Sequence, residues 1–182
     1  MEEDKKVHIH NFYKITEVEE HFTNIIKENK KYIQLLEGVD LGAGGGRFSK
    51  ILGTYAKTVY AVDISNESIA AMKINLAELK NVKIIKIPEN KLPFDDSSMD
   101  FVFAANSFHD VPVGYEKEIN RVLKAGGNFI DLDWKKEKTE FGPPIKIRFS
   151  EEDVIQKMEK QNFKLIKKID IKTHYMLIFS KI

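Results

Sequence analysis

The sequence predicts a mostly parallel, doubly wound α/β sheet of seven strands with helices on both faces. Three observations carry this. Short apolar runs alternate with helical stretches along most of the chain, the pattern of a parallel sheet with crossover helices. A glycine cluster, "VDLGAGGGRF" (39–48), separates one such run from a helical stretch. The last two apolar runs, "FKLIKKIDI" and "HYMLIFSK", are separated by only a short turn around Lys172 and Thr173. Parallel neighbours need a crossover of about a dozen residues, whereas antiparallel neighbours need only a few. The sheet therefore carries one antiparallel strand near its C-terminal end.

The elements follow in order. "ITEVEEHFTNIIKENKKYIQLL" reads as one or two helices, with Val18, Phe22, Ile25 and Ile26 on one face. "GVDL" becomes a strand end because the glycines follow it. "RFSKILGTYA" is a helix with Phe48, Ile51, Leu52 and Tyr55 at helical spacing, and "TVYAVD" is a buried strand. "SNESIAAMKINLAELK" is a helix capped by Ser65. "VKIIKI" is the third strand, "PENKLPFDDSS" a loop and "MDFVFAAN" the fourth strand. "GYEKEINRVLKAGG" reads as a helix closed by glycine, followed by a fifth strand, "NFIDLDW". "EFGPPIKIRF" is a loop. "SEEDVIQKMEKQ" is a helix opened by Ser150 and Asp153.

Composition bounds the function. The 182 residues suffice for one domain with a sizeable core. The expected organisation is a single domain: residues 1–37 form a helical segment that serves as a substrate lid, and residues 38–182 form the core. The net charge is +1, which gives no general pull toward nucleic acid or a membrane surface. Arg47, Arg121 and Arg148 are the only arginines. The chain has no cysteine, which excludes disulfides and thiolate chemistry. With no helical His-x-x-x-His pair either, no metal is expected. No run approaches the length of a membrane span, and "MEEDKKVHIH" holds no apolar signal core. The expected location is the cytoplasm, and the expected state a monomer or homodimer.

Glycines at a strand-to-helix junction let a ligand lie against the backbone, at a helix end that offers free N–H groups. The second strand ends in Asp63, a carboxylate positioned to accept the two hydroxyls of a ribose. The ligand is then a nucleoside: a nicotinamide or flavin dinucleotide, or S-adenosylmethionine. A dinucleotide loop is Gly-x-Gly-x-x-Gly. Counting from Gly42 and Gly44, the third glycine falls on Arg47; counting from Gly44 and Gly46, it falls on Ser49. The motif present is Asp40-x-Gly42-x-Gly44-x-Gly46.

"VDLGAGGGRF" resembles the first motif of the class I S-adenosylmethionine-dependent methyltransferases, and the resemblance runs from about Gly38 to Lys181. "KLPFDDSSMDFVFAANSFHDV", "INRVLKAGGNFIDLD" and "RFSEEDVIQKMEKQNFKLI" are similar to later family segments, in family order. The type 11 methyltransferases are the nearest sub-group. The resemblance implies a Rossmann-like fold, S-adenosyl-L-methionine as cofactor and a small-molecule methyl acceptor. It also implies that the backbone around Gly42, Ala43, Gly44 and Gly46 meets the methionine part of the cofactor, with Asp40 anchoring that end. Asp63 would take the ribose, Ile64 would pack on the adenine, and Ala105 and Asn106 would contact the methionine amino group. Many type 11 members place an aspartate before "LPF" to contact the adenine amino group. Here Pro88 stands near that position, so Glu89 is the candidate for the contact.

His109 follows the fourth strand and is a candidate general base, since imidazole titrates near neutrality; the competing reading is a loop histidine that shapes the substrate pocket. His10 and Tyr13, in the expected lid, and Trp134, at the end of strand five, are candidate pocket residues. Two alternatives stand beside the methyltransferase: a cofactor-binding module without catalysis, and a nicotinamide-dependent oxidoreductase.

Overall fold

The structure, a computed structural model, describes residues 15–182, with side chains from residue 20 onward. Seven strands form one sheet: β1 (Glu37–Leu41), β2 (Thr58–Asp63), β3 (Val82–Lys86), β4 (Met99–Ala105), β5 (Leu123–Trp134), β6 (Phe163–Asp170) and β7 (His174–Lys181). Their order is β3-β2-β1-β4-β5-β7-β6. All pairings are parallel except those of β7, which runs against both β5 and β6. The single antiparallel strand is the one the short turn at Lys172 and Thr173 required.

Among the described residues, five α-helices cover the sheet: α1 (Ile15–Glu28), α2 (Arg47–Gly53), α3 (Asn66–Asn75), α4 (Tyr115–Val122) and α5 (Glu151–Glu159). Phe22, Ile25 and Ile26 of α1 and Phe48 and Leu52 of α2 pack with Phe101, Phe103, Ile130 and Ile178 on one face. Met72 and Leu76 join Ala61 beneath α3. On the opposite face, Tyr115, Ile119 and Val122 of α4 and Val154 and Met158 of α5 pack with Phe129, Leu177 and Phe179. Residues 129 and 130 of β5 thus serve opposite layers, as the period-two alternation of a strand dictates.

The helix starts match the sequence. Ser65 accepts a hydrogen bond from the Ser68 N–H at 3.2 Å. Ser150 and Asp153 form a reciprocal box: the Ser150 N–H donates to Asp153 Oδ2 at 2.9 Å, and the Asp153 N–H donates to Ser150 Oγ at 3.1 Å. Ser150→Ala is expected to cost about 1 kcal/mol, read as a lower urea midpoint at unchanged slope.

The end of α4 departs from the sequence expectation. The helix stops at Val122, and "LKAGG" opens β5 instead of closing the helix. Two terminal carbonyls that a glycine cap would have served are taken from across the chain. The Ser97 N–H donates to Arg121 O at 2.8 Å, and the Ser98 N–H donates to Val122 O at 2.9 Å. Leu123 is then free to turn into the core.

The order of strands fixes where a ligand can lie. From β1 the chain winds outward through β2 and β3, then returns to β4 on the other side and winds the opposite way. The crevice at such a reversal lies beyond the carboxyl ends of the two neighbouring strands, here β1 and β4.

Candidate functional site

Residues 42–46 leave β1 at this reversal and deliver the chain into α2. The Gly42 and Ala43 N–H groups both donate to Val62 O at 3.0 Å, which folds the loop over the end of β2. Gly42, Gly44 and Gly46 all have positive φ, at 69°, 55° and 83°. A Cβ on Gly46 would come within 2.6 Å of the Leu76 side chain, so that glycine seats the loop on α3. A Cβ on Gly44 would meet nothing within 4 Å. Gly44 therefore faces open space: its bareness answers no contact within the described residues and leaves room for a ligand.

Asp63 stands beside that space. Its Oδ2 accepts the Gly44 N–H at 2.8 Å, and its Oδ1 accepts the Ser65 N–H at 2.9 Å. A carboxylate oxygen has two lone-pair sites, so each oxygen can still accept a hydroxyl. Ile64, the next residue, is an apolar side chain left 55% exposed. Glu89 lies in the exposed loop after β3, past the Ile87 N–H that donates to Asp63 O at 3.0 Å.

Asp40 is buried on the α2 side of β1, where it accepts the Ser49 hydroxyl at 2.5 Å. Burial pushes its pKa from 3.8 up to about 7; the Ser49 hydrogen bonds oppose this and the nearby Asp63 charge adds to it. The folded chain then holds this proton more tightly than the unfolded chain. Asp40 accordingly contributes stability that is complete below about pH 4 and lost as pH rises to about 7. Asp40→Asn should flatten the pH dependence of unfolding free energy across that window, by on the order of 1.4 kcal/mol per pH unit. Urea melts at several pH values check this.

Across the crevice, β4 ends at Ala105. Asn106 adopts φ 54°, and its N–H donates to Leu132 O at 2.8 Å. The Asn106 Oδ1 is buried without a partner among the described residues. Ser107 Oγ donates to Leu41 O at 2.6 Å and ties the end of β4 to the end of β1.

His109 follows in a short turn, Phe108–Asp110. Its ring is buried, with Nδ1 at 2.9 and 2.8 Å from the two oxygens of Asp133 and Nε2 at 3.4 Å from Asp110 Oδ2. Burial alone lowers the His109 pKa, but the hydrogen bond and charge of Asp133, with Asp110 adding, reverse this and raise it above the ordinary value.

Trp134 ends β5. Its ring lies 4.0 Å from the His174 ring, and the Arg148 guanidinium lies 5.2 Å above it. Arg148 donates to the carbonyls of Lys135, Glu137, Phe141 and Pro143 and to Thr139 Oγ1, gathering the 135–147 loop around one side chain. His10 and Tyr13 lie outside the described residues.

The sequence reading brought Asp40, the glycine loop, Asp63, Ile64, Ala105, Asn106 and His109 to one end of the sheet, and the structure gathers them there. It passed over Asp133, Arg148 and His174. The signal for Asp133 was present: "DLDW" puts two acids, Asp131 and Asp133, into a strand otherwise suited to burial.

Among the described residues, no helix is long and apolar enough to cross a membrane. A family profile described as "Methyltransferase domain", of type 11, matches residues 39–131. An uncharacterized protein of Methanocaldococcus jannaschii is 32% identical over 157 residues, covering 78% of this chain and 71% of that one. A demethylmenaquinone methyltransferase of Staphylococcus aureus is 32% identical over 104 residues, 54% of this chain; the match spans 43% of that enzyme, less than half its length. The crystal structure of a SAM dependent methyltransferase from Aquifex aeolicus superimposes with a TM-score of 0.80 at 27% identity, covering 88% of this chain and 89% of the other.

Proposed function

The chain belongs to the type 11 methyltransferase domain family, and on that premise we propose that it transfers a methyl group from S-adenosylmethionine to a small-molecule acceptor. When bound, the cofactor supplies a methyl group on a sulfonium, already activated for displacement. The chain's own residues bind and orient the reactants, and orientation alone can supply roughly 7–11 kcal/mol of barrier lowering.

The observation that carries this reading is the open space at Gly44 beside the Asp63 carboxylate. Asp63 would accept both ribose hydroxyls while keeping the Gly44 and Ser65 N–H groups that hold it in place. Ile64 would cover one face of the adenine, with Glu89 the residue available for its amino group. The backbone of Gly42, Ala43, Gly44 and Gly46 would meet the methionine portion. Asp40, Ala105 and Asn106 would take its ammonium end, and the unpartnered Asn106 Oδ1 suits a cationic donor. Arg47 opens α2 where a dinucleotide loop uses its third glycine for close packing, which disfavours a nicotinamide cofactor. Similarity to a demethylmenaquinone methyltransferase supports a small-molecule acceptor.

Thermal unfolding in the presence of each nucleotide tests the proposal. S-adenosylmethionine at a hundred times its Kd should stabilise the chain by about 2.7 kcal/mol, and NADH should leave the midpoint unchanged. Stabilisation by NADH alone would overturn it.

A further inference from the structure

His109 and Asp133 form a contact with more definition than a pocket wall needs. Asp133 is buried, and it accepts from three sources. These are His109 Nδ1, on both oxygens, the His109 N–H at 3.3 Å and the Trp134 N–H at 2.7 Å. A carboxylate that only accepts requires the proton of the neutral ring to sit on Nδ1. That leaves Nε2 as the bare, basic nitrogen. It lies 3.4 Å from Asp110 Oδ2, on a side chain that is 67% exposed.

A second carboxyl shares the face of β5. Asp131 is two residues before Asp133 and fully buried, and both its oxygens lack a hydrogen-bond partner among the described residues. The Tyr175 hydroxyl approaches it without reaching hydrogen-bond geometry. Burial and the charge of Asp133 raise the Asp131 pKa well above the ordinary carboxylate range. Of the two, Asp133 is the one that touches the imidazole. The remaining ionisable neighbours are Asp110 on the histidine's own turn, Arg148 before α5, His174 and Tyr175 on β7, and Glu151 on α5, which acts on Tyr175.

We propose that Asp133 is a positioning residue that holds His109 as an Nε2 base, and that the acceptor at this site is consequently protic, a hydroxyl of the phenol or enol class. This rests on the methyltransferase reading. The acceptor's O–H bond breaks and its proton passes to Nε2. An oxygen lone pair forms the new O–CH3 bond while the sulfonium carbon–sulfur bond breaks, its electron pair staying on sulfur. The products are a methyl ether, the demethylated thioether and an imidazolium facing Asp133, which returns its proton to solvent. An acceptor with no proton to lose, such as a soft lone-pair donor, would have no use for this pair.

Nitrogen-15 NMR of the full chain reads the claim without an acceptor. Above its titration midpoint His109 should carry its proton on Nδ1 and show a bare Nε2. Asp133→Asn should lower the His109 proton affinity by about tenfold or more. Asp131→Asn, a change at a side chain that makes no hydrogen bond to the ring, should change it by less than about threefold. Saturable S-adenosylmethionine binding, retained in both variants, shows that they fold and keeps this test separate from that of the cofactor site. An Nε2–H tautomer in the wild type, or an unchanged midpoint in Asp133→Asn, would overturn the proposal. So would a product methylated at carbon or sulfur. A product methylated at oxygen, with turnover slowed roughly a hundredfold by His109→Gln, supports it.

Discussion

Asp63→Ala should weaken S-adenosylmethionine binding by at least about a hundredfold while leaving the chain folded. Each hydrogen bond from a ribose hydroxyl to an ionised carboxylate contributes roughly 1.5–3 kcal/mol, and the substitution removes two. It also frees the Gly44 and Ser65 N–H groups, which Asp63 accepts at 2.8 and 2.9 Å. The loop then loses the tether that holds it beside β2, so orientation suffers along with contact. Asp63 is only half-buried and both orphaned N–H groups can reach water, which keeps the stability cost modest. Isothermal titration of the variant checks this, with Asp63→Asn expected between it and the wild type. Affinity within about threefold of wild type in Asp63→Ala would remove the ribose from this carboxylate.

Gly38→Ala should unfold or nearly unfold the chain without touching the ligand site. A Cβ at Gly38 would lie 2.4 Å from two ring carbons of Phe101 and 2.5 Å from the Phe101 carbonyl oxygen. The ring is fully buried against the layer under α1 and α2, and the oxygen belongs to the neighbouring strand. β1 is hydrogen-bonded on both sides, to β2 and β4, so its backbone has no direction in which to retreat. Overpacking a core costs about 1–3 kcal/mol where side chains can give. Here the obstruction includes backbone, and more than about 3 kcal/mol is expected from urea unfolding. A loss under about 1 kcal/mol would mean that the sheet relaxes at its centre. Gly44→Val makes the converse case. Its Cβ meets nothing within 4 Å among the described residues, so the expected cost is the strain of a positive φ, roughly 1–3 kcal/mol, yet the side chain fills the space left for the cofactor.

The contrast between these two glycines bears on what could be read from sequence. The cluster at 42–46 announced itself by density, and the strand-end acid at Asp63 by position. Both are local patterns, and the mostly parallel sheet with its one antiparallel strand then follows from alternation and one short turn. Gly38 looked unremarkable, because its reason is a ring on a strand more than 60 positions away. The end of α4 was misread for the same cause: the local signal, a glycine pair, was outvoted by two N–H groups arriving from residues 97 and 98. His109 is visible as a histidine after a strand and Asp133 as an acid in a buried strand, but their pairing is not. The pair exists because β4 and β5 run in register with Ala105 beside Leu132, which brings the turn after β4 onto the end of β5. Arg148 likewise acts through the carbonyls it collects from the 135–147 loop, and a carbonyl leaves no mark in a sequence.

The most direct test of the account is a structure of the chain with S-adenosylhomocysteine. The ribose hydroxyls should lie on Asp63, the nucleoside should run over Ile64, and the amino-acid end should lie along Gly42–Gly46 toward Asn106. A ligand bound elsewhere, with Asp63 holding only Gly44 and Ser65 and the space over Gly44 still open, would contradict it.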